Sequence, residues 1–271
     1  MKDKIKLLDR TFSHSKLGFC SDYQESKYFY WDRESIDVNG VEPIVFTDLT
    51  LNNAVKREIS YAWLIEPIDI SPQNYELIKR ISNKFSKIFT HEKSLLDLGE
   101  PYELLPFGCC WIKPEDHKIF DKTKNISIIS SNKRMTDGHM LRHNIINSYR
   151  DVMDVYGRGY NEIKYKLEGL KDYRYSIVIE NCKRDYWFTE KLIDCLVTGT
   201  IPIYWGCPSI GDFFDTEGFV IIDDINDLSS IIDSLSEEYY ISKSKHILNN
   251  FHKSQEYLLP DNLIYKKLKN E

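Results

Sequence analysis

The chain reads as an α/β protein of two Rossmann-like lobes, and three observations predict it. Short apolar runs alternate with amphipathic helical patterns along the whole length, the signature of βαβ units. No internal repeat or low-complexity tract is apparent. A length of 271 residues, 42% apolar and 29% charged, is an ordinary globular mixture that most simply makes two domains, or one large one.

In the first half, "KIKLLD", "PIVFTD", "YAWLIE", "KIFTH" and "YELLPFG" read as strands. "PQNYELIKRISNKF" reads as a helix, because Leu77, Ile78, Ile81 and Phe85 share one stripe. Ser71 before Pro72 is its expected cap and first turn. The polar segment "KPEDHKIFDKTKN" is the expected linker. A second series follows: "ISIISS" as strand, "HMLRHNIINSY" as helix, "DVMDVYG" as strand, and a turn at Gly157 and Gly159. "YSIVIEN" is the next strand, "FTEKLIDCLVT" a helix, "IPIYWG" and "GFVIID" strands, and "INDLSSIIDSLS" a helix before a mainly helical tail. The expected domains are 1–115 and 116–245, both Rossmann-like, with 246–271 as the helical tail.

Bulk composition removes several functions. A net charge of −6, from 36 basic against 42 acidic residues, argues against nucleic-acid binding. No window approaches the ~18 uninterrupted apolar residues of a membrane span, so no stable membrane insertion is expected. "MKDKIKLLDR" lacks the apolar stretch of a secretory leader. The six cysteines form no C-x-x-C pair, and the adjacent Cys109 and Cys110 are expected to be buried thiols beside a strand. A cytoplasmic, reducing location is the resulting expectation. No G-x-G-x-x-G follows any strand, which argues against a nicotinamide oxidoreductase.

The most informative stretch is "RDYWFTEKLIDCLVTGTIPIYWGCP", residues 184–208. Thr189 is placed to cap a helix, with Glu190 in its first turn and Leu192, Ile193, Leu196 and Val197 as its buried stripe. Gly199 sits where a left-handed C-cap is wanted, and Pro202 follows it. Lys191 is out of place by dipole logic, since a cation at an exposed helix N-terminus costs roughly 0.3–1 kcal/mol. A diphosphate at the carboxyl edge of the sheet would reverse that sign. The alternative for Glu190 and Lys191 is a solvated helix start.

"YSIVIENCKRDYWFTEKLIDCLVTGTIPIYWGCPSIGDFF" resembles the donor-binding segment of the α1,3/4-fucosyltransferases, glycosyltransferase family 10, of bacterial type. The Asn, Thr-Glu-Lys and Pro-x-x-x-Gly elements carry the likeness, which is close over 173–224 and looser over 126–172. The resemblance implies a GT-B-like fold, two Rossmann-like domains facing across a cleft, with the acceptor on the side of 1–115 and the donor on the side of 116–245. It implies inverting, metal-independent transfer of fucose from GDP-fucose, a donor substrate rather than a cofactor, to an oligosaccharide or glycolipid-linked acceptor. Lys191 and Arg142 would hold the pyrophosphate, Glu190 the ribose and Asn181 the donor sugar or phosphate. Glu66, after a strand of the first lobe, would be the catalytic base, with Asp69 as runner-up.

Each assignment has a plainer alternative. Arg142 could be a surface cation paired with Asp137, and Asn181 could close a turn. Tyr186 and Trp187 could stack on the donor or plug the cleft. His139 and His143, four apart, have zinc-ligand spacing but no third ligand nearby in sequence. Cys182, Trp187 and Phe188 depart from the family's usual Ser and Tyr-Val/Ile. Two alternative functions remain open on these residues: a transferase using another nucleotide sugar, or a non-catalytic nucleotide-sugar or glycan-binding module.

Overall fold

Strand pairs among the described residues are all parallel, as βα alternation requires. The structure is a computed structural model that describes residues 2–13, 15, 17–34, 42–54 and 59–269. The chain forms two units. One comprises Met1–Cys109, Arg184–Trp187 and Leu259–Glu271; the other comprises Cys110–Lys183 and Phe188–Leu258.

The sheet of the first unit has β1 (Asp3–Leu8), β2 (Phe29–Asp32), β3 (Ile44–Thr47), β4 (Ser60–Trp63), β5 (Lys87–Thr90) and β6 (Tyr102–Leu104), in the order β2-β1-β3-β4-β5-β6. Val45, Ala62, Trp63, Ile88 and Phe89 have no exposure, because the central strands of a parallel sheet are covered on both faces. Helix α1 (Pro72–Ile81) buries Tyr75 and Ile78 against this sheet's core. Ser71 precedes α1 but makes no side-chain cap bond, so Pro72 alone marks its start. After the short α2 (Lys93–Leu96) the chain reaches β6 and then Cys109.

Cys109 corrects the cysteine expectation. It forms a disulfide with Cys20, 89 residues away in sequence, while Cys110 is a buried free thiol. The cysteine-based argument for a reducing compartment therefore lapses, since disulfides persist mainly in oxidising ones. No helix among the described residues is long and apolar enough to cross a membrane.

The second sheet has β7 (Lys124–Ile129), β8 (Asp154–Tyr156), β9 (Tyr173–Ile179), β10 (Ile201–Trp205) and β11 (Val220–Ile221), in the order β11-β10-β9-β7-β8. One apolar cluster takes in α3 (Asp137–Tyr149) and α5 (Leu228–Ser234), with Ile126, Ile128, Ile177 and Ile203 from the strands. A second gathers α4 (Glu190–Leu196), whose Leu192, Ile193 and Leu196 pack with Val178 and Phe188. Helices α6 (Glu237–Ser242) and α7 (Ser244–Ser254) complete this unit. Helix α8 (Pro260–Lys269) belongs to the first unit: Ile264 enters its core, and Asp261 accepts the Phe19 N–H at 3.0 Å and the Trp31 indole N–H at 2.6 Å.

Two glycines set how closely the second unit packs around the end of β9. A Cβ on Gly138 would lie 1.9 Å from the Glu180 carbonyl oxygen and 2.7 Å from that of Asn181. A Cβ on Gly206 would lie 2.6 Å from Cγ of Glu180. We expect Gly138→Ala to displace α3 from the end of β9 and to lower stability by about 1–3 kcal/mol. Urea unfolding of the variant measures this, and an unchanged midpoint would show that α3 yields at no cost.

Candidate active site

The second unit's site is arranged around Glu180, the residue after β9, whose carboxylate has no solvent exposure. One oxygen accepts the Thr189 N–H at 2.8 Å, and the other accepts the Thr189 hydroxyl at 2.8 Å. Thr189 in turn caps α4, accepting the Lys191 N–H at 3.4 Å. Glu180 thus fixes the point at which α4 begins, a role the sequence did not reveal.

Lys191 has a side chain 23% exposed. Its Nζ donates to Thr189 Oγ1 at 2.9 Å and lies 3.4 Å from carboxylate oxygens of both Glu180 and Glu190. Two acids therefore offset the cation that helix polarity alone disfavours. Helix α4 has only seven residues, so neighbouring charges outweigh its dipole here.

Glu190 is held between Lys191 and Lys166, each at 3.4 Å. Burial opposes its ionisation, but these two cations outweigh burial and hold its carboxyl well below the usual range. Lys166 also pairs with Asp194 at 2.9 Å, and its ammonium lies 4.2 Å from the centre of the Trp111 ring. Asp194 accepts the Trp111 N–H at 2.7 Å. A pocket of about 260 Å³ opens beside this network, lined by Trp111, Lys113, Tyr165, Lys166 and Glu168 among others.

Arg142, on α3, is 4% exposed. Its Nε–H donates to the Ile179 carbonyl at 2.9 Å and an Nη2–H to Asn181 Oδ1 at 2.8 Å. The alternative of a surface cation paired with Asp137 is therefore replaced by a buried guanidinium fastened to the end of β9. His139 meets the Thr136 hydroxyl at 2.6 Å, and His143 bonds the Lys133 carbonyl and the Tyr160 hydroxyl. Burial first, then the cations Arg142, Lys133 and Lys191, push His139 down to about 4. The second unit thus assembles Arg142, Asn181, Glu190 and Lys191.

Glu66, Tyr186 and Trp187 belong to the first unit. Glu66 follows β4 by three residues. Its N–H donates to Asp48 at 3.1 Å and its carbonyl accepts the Tyr75 hydroxyl at 2.8 Å. Asp48 is 2% exposed, and burial pushes its carboxyl up to about 8 against the opposing backbone N–H bonds. Asp69 is engaged by Arg184 through two bonds of 2.7 and 3.0 Å. Tyr186 takes a left-handed backbone, φ 58°, which costs a non-glycine residue energy. Trp187 is 2% exposed and donates its indole N–H to the Ile65 carbonyl at 3.3 Å, so its ring packs inside this unit rather than standing open for a donor.

His139 stays neutral in the fold down to about pH 4 but accepts a proton near 6.5 once unfolded. The unfolded state therefore binds more protons between those values, and stability falls as pH drops from 6.5 to 4. We expect His139→Gln to flatten this part of the curve. Thermal unfolding at pH 7.5 and pH 5 tests it: the gap between the two midpoints should be smaller in the variant.

Comparison with known proteins gives the family of this chain. Residues 119–268 match the family described as glycosyltransferase family 10 (fucosyltransferase), C-terminal region. The chain is 26% identical over 172 residues to the α-(1,3)-fucosyltransferase FucT of Helicobacter pylori, which covers 55% of this chain and 35% of that protein. It is 28% identical over 125 residues to α-(1,3)-fucosyltransferase B of Drosophila melanogaster, covering 41% and 28%. The matched part is thus about a third of the length of these relatives. A crystal structure of an α1,3-fucosyltransferase with GDP superposes with a TM-score of 0.56 at 17% identity, over 94% of this chain and 88% of that one, and so shares the α/β, GT-B-like fold. The match from residue 119 to residue 268, more than half the chain, makes this protein a member of glycosyltransferase family 10.

Proposed function

We propose that the protein transfers fucose from GDP-fucose to a hydroxyl of an oligosaccharide or glycolipid-linked acceptor, with inversion at the anomeric carbon and without a metal ion. The observation that carries this reading is the gathering of Arg142, Asn181, Glu190 and Lys191 about the end of β9, inside the segment that matches the family. The neighbourhood of His139 supports it: after burial, the cations Arg142, Lys133 and Lys191 oppose its protonation, and cations gathered in this way suit a diphosphate. The similar α1,3-fucosyltransferase was crystallised with GDP, which agrees with this donor.

On this reading the acceptor oxygen attacks the anomeric carbon as the bond to the β-phosphate oxygen breaks. Negative charge then grows on GDP, where Lys191 and Arg142 stabilise it. Lys191 exchanges part of its contact with Glu180 and Glu190 for phosphate oxygens. The ionised Glu190 accepts hydrogen bonds from the ribose hydroxyls. Glu66 takes the acceptor's proton. Asp69 is the weaker base candidate, since its carboxylate already carries Arg184.

Incubation with GDP-fucose and a panel of oligosaccharides, followed by NMR of the product anomer, tests the activity. GDP should be released in the presence of EDTA, and the new linkage should be of inverted configuration. Glu66→Gln should lower kcat on the order of 10²–10⁴-fold. Lys191→Met and Arg142→Gln should each cost about 10²–10³-fold. GDP binding without turnover on any acceptor would favour the binding-module alternative, and tighter binding of UDP than GDP would overturn the donor.

A further inference from the structure

The two residues at the candidate base have every backbone polar group held by a side chain. Asp48 accepts the Ile65 N–H at 3.2 Å and the Glu66 N–H at 3.1 Å. The Trp187 indole N–H donates to the Ile65 carbonyl at 3.3 Å, and the Tyr75 hydroxyl donates to the Glu66 carbonyl at 2.8 Å. Asp48, Tyr75 and Trp187 are 2%, 0% and 2% exposed, so these bonds are shielded from water. A segment just past a strand end ordinarily leaves such groups to solvent. Here four bonds on two consecutive residues restrict the backbone that aims the Glu66 side chain.

Trp187 reaches this place because Arg184–Trp187 belongs to the first unit, whereas Asn181 and Thr189 on either side belong to the second. The Arg184–Asp69 pair secures the same short segment. The indole has its N–H committed and its ring packed 6.0 Å from that of His91.

We propose that Asp48, Tyr75 and Trp187 are positioning residues that clamp the Ile65–Glu66 backbone and so fix the Glu66 carboxylate in the geometry that accepts the acceptor's proton. The proposal rests on the reading of Glu66 as base. It assigns Trp187 to proton transfer rather than to donor stacking. Rigid support of a reacting group is what such a clamp supplies, and a displacement of ~1 Å at a reacting group costs as much as 10²-fold in rate.

The test uses the full chain with Trp187→Phe, Tyr75→Phe, Asp48→Asn and Glu66→Gln. Trp187→Phe keeps an aromatic ring but removes the N–H together with the pyrrole half of the indole, and Tyr75→Phe removes only the hydroxyl. Each should lower kcat on the order of 10–100-fold, while the Kd of GDP by calorimetry stays within about twofold of wild type. Asp48→Asn retains one acceptor oxygen and should lower kcat by no more than the other two clamp variants, with the Kd of GDP again unchanged. A weakened GDP Kd with unchanged kcat at saturating donor would make Trp187 a donor-site residue and overturn the proposal. Wild-type kcat in all three clamp variants, with Glu66→Gln inactive, would overturn the clamp and leave the base standing. A fully active Glu66→Gln would remove the base and the clamp together. Amide exchange in the unmodified protein gives a readout independent of any variant: the Ile65 and Glu66 amides should exchange slowly, and rapid exchange would overturn the proposal.

Discussion

A carboxylate with no solvent exposure stands where β9 hands over to α4, and the candidate donor site is arranged to satisfy it. Burying a lone charge costs several kcal/mol, so Glu180 persists only with its hydrogen bonds and a cation in place. Thr189 supplies an N–H and a hydroxyl, and Lys191 supplies the cation. Those two residues open α4, so one buried acid settles where the helix starts and where its lysine sits. Gly206 has no side chain because the Glu180 methylenes occupy that space.

Around this centre, charges alternate in contact: Asp194, Lys166, Glu190, Lys191 and Glu180. Each member offsets the desolvation of its neighbours, and removing one leaves another charge unpaired in a low-dielectric setting. Fixed charges of this kind need little rearrangement when new charge appears nearby, which is the physical basis of electrostatic preorganisation. Arg142 differs in kind. Its guanidinium is fastened to neutral groups, the Ile179 carbonyl and Asn181 Oδ1, so its positive charge is less offset by direct contact.

Periodicity made most of the framework legible. The buried runs of β3 to β5, β7, β9 and β10 stand out because parallel strands are apolar on both faces. Helix α4 was readable from its cap, stripe and Gly199, which takes the left-handed φ of 71°. Strand β2 was not, because "FYWD" is four residues with no distinctive alternation. Ser71 had the right residue type for a cap but makes no cap bond. Motif residues close together in sequence, such as Asn181, Glu190 and Lys191, could be picked out by spacing. Glu180 and Asp48 could not, since an acid at a strand end looks the same whether it meets water or a buried N–H. Their environments depend on contacts such as Asp48 with Glu66, 18 residues apart, and the partner of Cys20 lies farther still, 89 residues away.

The first unit is a composite of three separated stretches, and Asp261 joins the last of them to Phe19 and Trp31. A polypeptide ending near residue 109 would therefore lack both the Trp187 segment and the helix that completes its core. Expressed as a fragment it would expose the apolar surface that Ile264 covers. During translation this unit cannot close until Pro260–Lys269 has left the ribosome.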